Sequence, residues 1–188
     1  MSLQLTEDLG LLYMKVGVHA KESLEDIIRR KQKEYDDTGM IFWGYGGNTC
    51  HPSRLVQPFA RNCVQKGKEV YLVMEEIDSR HFAEQDAAKD YSEDGFIWRP
   101  VPEGIRVFGS RYALVLDRLE MDDFDLNLRD LNVAVGPSRG RLGVDYIKGQ
   151  VDKGCFELHL GHPPESEKEI KRISLYARLK EPFAVHVR

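Results

Sequence analysis

The chain has 188 residues, enough for a single domain with a sizeable core. Hydrophobic residues make up 41% and charged residues 31%, as in ordinary globular proteins, and no apolar run reaches the roughly 18 residues of a membrane-spanning helix. A net charge of −4 argues against nucleic-acid binding by the whole surface and leaves room for a local basic patch. Three scattered cysteines, Cys50, Cys63 and Cys155, suit a reducing compartment better than a disulfide frame, and no charged-then-apolar leader is read at the start; a cytoplasmic protein is expected.

Residues 9–18 are rich in β-formers and apolar on both faces, which predicts a central strand, with Gly17 as a bulge or a close backbone approach. Leu24, Ile27, Ile28, Lys31 and Tyr35 recur at helical spacing and predict an amphipathic helix over 21–37. Ser23 with Asp26 resembles a capping box, and Gly39 stands just past the end. Next comes the stretch around which the chain is organised. Met40, Ile41, Phe42 and Trp43 read as a strand that breaks into Gly44, Gly46 and Gly47 around Tyr45, followed by Asn48, Thr49, Cys50 and His51. A buried strand running into a glycine-rich loop with aromatic and polar groups is a common way to build a binding site.

Pro58 in a first turn and Gly67 past the last predict a short helix over 58–66, and residues 68–77 predict a strand. Residues 78–95 form a polar excursion with a weak helical pattern through Phe82, Ala83, Ala87 and Tyr91. Phe96, Ile97 and Trp98 open a strand that Pro100 and Pro102 break. From Ile105 the pattern is mostly β: one bent strand or two over 105–119, an acidic interrupted stretch at 122–130, and strands at 131–135, 144–147 and 155–160. A turn-rich loop at 136–143 carries Arg139 and Arg141. Residues 173–179 and 183–187 alternate as a final hairpin. The fold class expected is α+β, a curved mixed or antiparallel sheet with two or three helices placed early in the chain. Residues 1–160 are read as one domain, with the polar connector and hairpin of 161–188 packed on it.

Trp43, Tyr45 and Trp98 suit a pocket that stacks a planar ligand, although a strand aromatic such as Trp43 equally suits the core. The Gly44–Asn48 loop offers successive N–H groups to an anion, but it lacks the Lys-Ser or Lys-Thr ending of a P-loop, and a tight turn explains its glycines as well. Cys50, His51, Cys63 and His81 match no zinc spacing, and Cys50 and His51 are too close in sequence to work as nucleophile and base; neither a metal nor a cofactor is expected. Glu75 and Glu76, at a strand end, are a catalytic carboxylate or a solvated terminus. Arg139 and Arg141 flank Gly140 and suit phosphate contacts or plain surface charge.

The order of elements resembles the PUA-like domains, in particular their EVE and ASCH branches. The likeness runs through Met14-Lys15, Trp43-Gly44-Tyr45, a helix with Gln57, Phe59 and Arg61, Gly67-Lys68-Glu69-Val70-Tyr71-Leu72, and Gly109-Ser110-Arg111-Tyr112-Ala113-Leu114-Val115. It implies a small curved β-barrel and a pocket for a nucleobase, often a modified one, in DNA or RNA. The ligand-binding set is then Trp43, Gly44, Tyr45, Gly46, Gly47, Asn48, His51, Trp98, Arg139 and Arg141, and the partner a small planar ligand or nucleic acid rather than a membrane. Phe42-Trp-Gly-Tyr-Gly-Gly-Asn48 is also similar to the Tyr-Gly-Ser-Asn loop of the gamma-glutamyl cyclotransferases, with Gly47 where those have serine. That resemblance implies a small enzyme acting on an amide substrate through Glu75, Glu76 or Glu84. A structural or partner-binding domain with all its aromatics in the core is the third reading.

Overall fold

The computed structural model describes residues 2–46, 53–80, 84–149, 151–163 and 167–188. In chain order these form β1 (Leu9–Val18), α1 (Leu24–Thr38), β2 (Ile41–Gly44), α2 (Ser53–Gln65), β3 (Glu69–Arg80), β4 (Asp90–Ser92) and β5 (Arg99–Pro100). Then follow β6 (Tyr112–Leu116), β7 (Glu120–Asn127), β8 (Leu131–Val133), α3 (Gly143–Tyr146), β9 (Lys153–Leu158) and β10 (Ile170–Val187). The fold is α+β. The main path of the sheet is β2-β6-β10-β3-β1-β9-β8, with β4 and β7 also on β10 and β5 on β4. It is mixed, because β1 and β3 run parallel while the other pairs are antiparallel. Among the described residues β2 and β8 are its two ends and do not pair, so the sheet is open, unlike the small curved barrel that the PUA-like resemblance implies.

The central strand forms as its composition demands. Leu12 and Val16 of β1 are buried on one face, and Leu11 and Tyr13 on the other. In α1, Ser23 Oγ accepts the N–H of Asp26 at 3.2 Å, and Gly39, at φ 74°, donates to the carbonyl of Tyr35. Leu24, Ile27, Ile28 and Tyr35 of this helix pack on the first face of the sheet, as their spacing predicts.

Several elements differ from the sequence expectation. Helix α2 begins at Ser53, which puts Pro58 inside it. The proline has no N–H to offer the carbonyl of Arg54, and the buried stripe Val56, Phe59, Ala60 and Cys63 outweighs that loss. The weak helical pattern of 78–95 gives no helix among the described residues; β3 extends to Arg80, and β4 takes up Tyr91. Phe96 and Ile97 lie in a turn, where the Asp94 carboxylate accepts both their N–H groups, at 2.8 and 2.9 Å. The acidic stretch near 122–130 contains strand β7, since Arg172 on β10 sits opposite and pairs with Asp125 at 3.0 Å and Asp123 at 3.6 Å. Residues 143–146 make one helical turn, not a strand.

The final hairpin is corrected too. Residues 170–187 are one strand, β10, which changes partners along its length. It pairs first with β7 and β3, and from Leu179 with β6 and then β4, with a register shift between Leu179 and Ala184. The break that Pro182 makes in the alternation is real, but the chain runs on through it.

Arg178 on β10 donates to Glu69 at 2.8 Å and to Asp117 at 2.7 Å. These bonds hold both carboxyls below the usual carboxylate range. A depressed folded-state pKa gives stability that is present above the ordinary value near 4 and is lost as pH falls through the folded one. Arg178→Met should therefore melt lower than wild type at neutral pH, with the gap closing as the pH drops below about 4. A gap independent of pH in thermal melts would assign the effect of Arg178 to packing.

Candidate functional site

A cleft of about 370 Å³ opens at the C-terminal end of β1. Its walls are Met14 to His19, the inner side of α1 at Leu24 and Ile27, the end of β2 at Trp43 and Gly44, and the loop 106–110. The volume lies within the range of small-molecule pockets.

The loop 106–110 is fixed by polar contacts with α1. Lys31 and Glu34 are 3% and 1% exposed and pair at 3.0 Å. Glu34 accepts the N–H of Phe42 at 2.9 Å and of Arg106 at 3.1 Å. Lys31 donates to the carbonyl of Arg106 at 2.7 Å and to that of Phe42. Among the described residues β2 has a strand neighbour, β6, on one side only; on the other the ion pair satisfies Phe42 in place of a strand. Burial pushes the Lys31 ammonium down to about 8, against the pull of Glu34. Arg30 adds a third tie: it donates to the carbonyl of Arg106 at 2.9 Å, stacks over the Phe108 ring at 5.0 Å, and is held by Glu22. His19 Nε2 lies 3.1 Å from the Phe108 carbonyl oxygen.

Two glycines let the walls approach. A Cβ on Gly17 would stand 2.2 Å from Ser79 Oγ and 2.7 Å from the Ile77 carbonyl oxygen, and one on Gly44 would stand 2.7 Å from Ser110 Oγ. Both serines line the cleft. Its charged lining residues are Lys15, Arg30, Lys31, Arg106, Lys153 and Asp152, of which Arg30 pairs with Glu22, Lys31 with Glu34 and Lys153 with Asp152.

Of the residues expected to bind a ligand, Trp43, Gly44 and Gly46 line this cleft. Trp43 is 5% exposed and belongs to the core cluster while also forming part of the cleft wall. Tyr45, expected as a loop aromatic between glycines, is fully buried; its N–H donates to the carbonyl of Tyr112 at 2.9 Å and carries the β2–β6 ladder past Gly44. Trp98 is half-buried beside β5, under the Arg188 guanidinium at 4.0 Å, and does not join Trp43. Arg139 and Arg141 are exposed in the turn after β8 and do not line the cleft. Gly47, Asn48, Thr49, Cys50, His51 and His81 lie outside the described residues.

The candidate carboxylates stand apart from the cleft. Glu75 is half-buried and accepts the phenol proton of Tyr13, whose own acidity is suppressed mainly by burial. Glu76 is exposed, and Glu84 is exposed and pairs with Lys21. Cys63 and Cys155 are buried and not joined in a disulfide, and burial pushes the Cys63 thiol up. Among the described residues no cluster of His, Cys, Asp and Glu is arranged to hold a metal.

Sequence reasoning missed Lys15, Arg30, Ser79, Ser110 and Lys153 as cleft residues. Lys15 carried a signal, since a lysine within a strand apolar on both faces needs a reason. Compared with known protein families, with curated proteins and with solved structures, the chain gives no match in any of the three.

Proposed function

We propose that the chain is a non-catalytic binding module for a nucleobase or nucleotide, built on a PUA-like plan, with the ligand in the cleft beside Trp43. One observation carries this reading. The segments on which the PUA-like resemblance rests are far apart in sequence, yet Met14, Lys15, Trp43, Gly44, Gly109 and Ser110 from those segments line one cavity. The indole supplies a face for stacking, and the hydroxyls of Ser79 and Ser110 offer donors and acceptors for the edge of a base. The reading as an amide-processing enzyme rests on Glu75, Glu76 or Glu84, none of which is among the cavity's lining residues; the carboxylate that does line it, Asp152, pairs with Lys153 at 2.9 Å.

A thermal-shift screen tests it. Nucleosides, nucleotides and modified bases are assayed beside gamma-glutamyl amines. A true ligand at 100 times its dissociation constant should stabilise the protein by about 2.7 kcal/mol. Ile27→Trp, which fills the cleft from α1, should abolish the shift and leave the unliganded fold intact. Stabilisation by gamma-glutamyl amines alone, or by none of these compounds, removes the proposal.

A further inference from the structure

Backbone bonding along β2 alternates from residue to residue. Tyr45 donates to the carbonyl of Tyr112 at 2.9 Å, so Tyr45, Trp43 and Ile41 bond to β6, and the N–H and C=O groups of Phe42 and Gly44 face the open edge of the strand. At Phe42 that edge is filled: Glu34 accepts the N–H at 2.9 Å, and Lys31 donates to the carbonyl. The same ion pair reaches across to the loop 106–110 and takes up the N–H and C=O of Arg106. At Gly44, the next residue to face this edge, no group among the described residues takes up either the N–H or the C=O. Gly44 is half-buried and lines the cleft, as Phe108 of the loop does. Unpaired main-chain groups at such a place favour a partner that supplies both an acceptor and a donor. The side chains of the wall have less to offer, since Arg30, Lys31 and Lys153 are paired with Glu22, Glu34 and Asp152.

From this we infer that the ligand is an unpaired base held by its Watson–Crick edge on the main chain of Gly44. It takes, at Gly44, the place that the Lys31–Glu34 pair takes at Phe42. The inference rests on the nucleobase reading of the cleft and names the edge by which the base is read. The Watson–Crick edge of every common base sets a hydrogen-bond donor beside an acceptor, and single-stranded or free bases leave it available. A residue of an extended strand sets its own N–H and C=O side by side on one edge, which is the complementary pattern. A base inside a duplex is excluded, because its partner strand occupies that edge. No phosphate is required, so a nucleoside suffices as the probe.

Two measurements on the whole, unsubstituted chain test the inference. Calorimetric titration compares each common ribonucleoside with its analogue methylated at the nitrogen donor of the Watson–Crick edge. A nucleoside that binds should lose about tenfold in affinity on that methylation, as expected for one hydrogen bond at the upper end of the usual range. Amide hydrogen exchange reads the protein side. In the free protein the N–H of Gly44 should exchange faster than those of Trp43 and Tyr45, which bond to β6. A nucleoside at about ten times its dissociation constant should slow it by about tenfold, because exchange then passes through the free protein. A Gly44 N–H already as protected as its neighbours, an exchange rate unmoved by a nucleoside that binds, or equal binding of the methylated analogue would each overturn the inference while the nucleobase reading stands. No binding of any nucleoside would overturn both.

Discussion

Glu34→Ala should lower stability by about 3–5 kcal/mol, the cost of leaving a buried charge without its partner. Lys31 would remain 3% exposed with no carboxylate beside it. The backbone N–H groups of Phe42 and Arg106 would lose their acceptor at the same time. Lys31→Met should do comparable damage from the opposite side, since Glu34 is 1% exposed. The double variant Lys31→Met with Glu34→Leu separates the charge from the backbone bonds. It removes both ions and should recover part of the loss, but not all, because the N–H and C=O groups of Phe42 and Arg106 still lack partners. Urea denaturation at neutral pH measures all three. A loss under about 1 kcal/mol for Glu34→Ala would show that water enters and replaces the carboxylate.

Trp43→Ala should cost about 3–5 kcal/mol by the cavity it opens in the core cluster. Trp43→Phe keeps an aromatic face and most of the buried area, so its stability loss should be smaller. The two variants then disagree usefully in binding. With a nucleotide in the cleft, Trp43→Ala removes a stacking surface with about 1–3 kcal/mol of ligand affinity, whereas Trp43→Phe retains part of it. Denaturation and titration on the same two proteins therefore divide the contribution of this residue between fold and site. Unchanged ligand affinity in Trp43→Ala would mean that the indole serves the core alone.

The elements that could be read from the sequence are those with strong periodicity and local end signals. β1 and α1 have both: Leu11, Leu12, Tyr13 and Val16 fill the two faces of the strand, and Ser23 and Gly39 close the ends of the helix. The misread elements take their structure from distant partners. β7 carries Asp123 and Asp125, which look like solvated loop until Arg172 stands opposite them. β10 passes Pro182 because β3 lies beside one part and β6 beside the other. The site divides in the same way. Trp43 and Gly44 announce themselves within a few residues of sequence. Lys153 does not, since the neighbouring Asp152 makes it look like one half of a surface charge pair. Only the pairing of β9 with β1 brings it to the cleft.

The change of partners along β10 bears on how the protein is made. β3 and β6 are separated on the main path of the sheet by this one strand. Until residues 170–187 leave the ribosome, both carry a bare hydrogen-bonding edge and buried-to-be side chains such as Leu72, Met74, Leu114 and Leu116. Between the synthesis of β6 and that of β10 both edges are open to misassociation, and β3 and β6 are then joined in a long-range step of the slow kind.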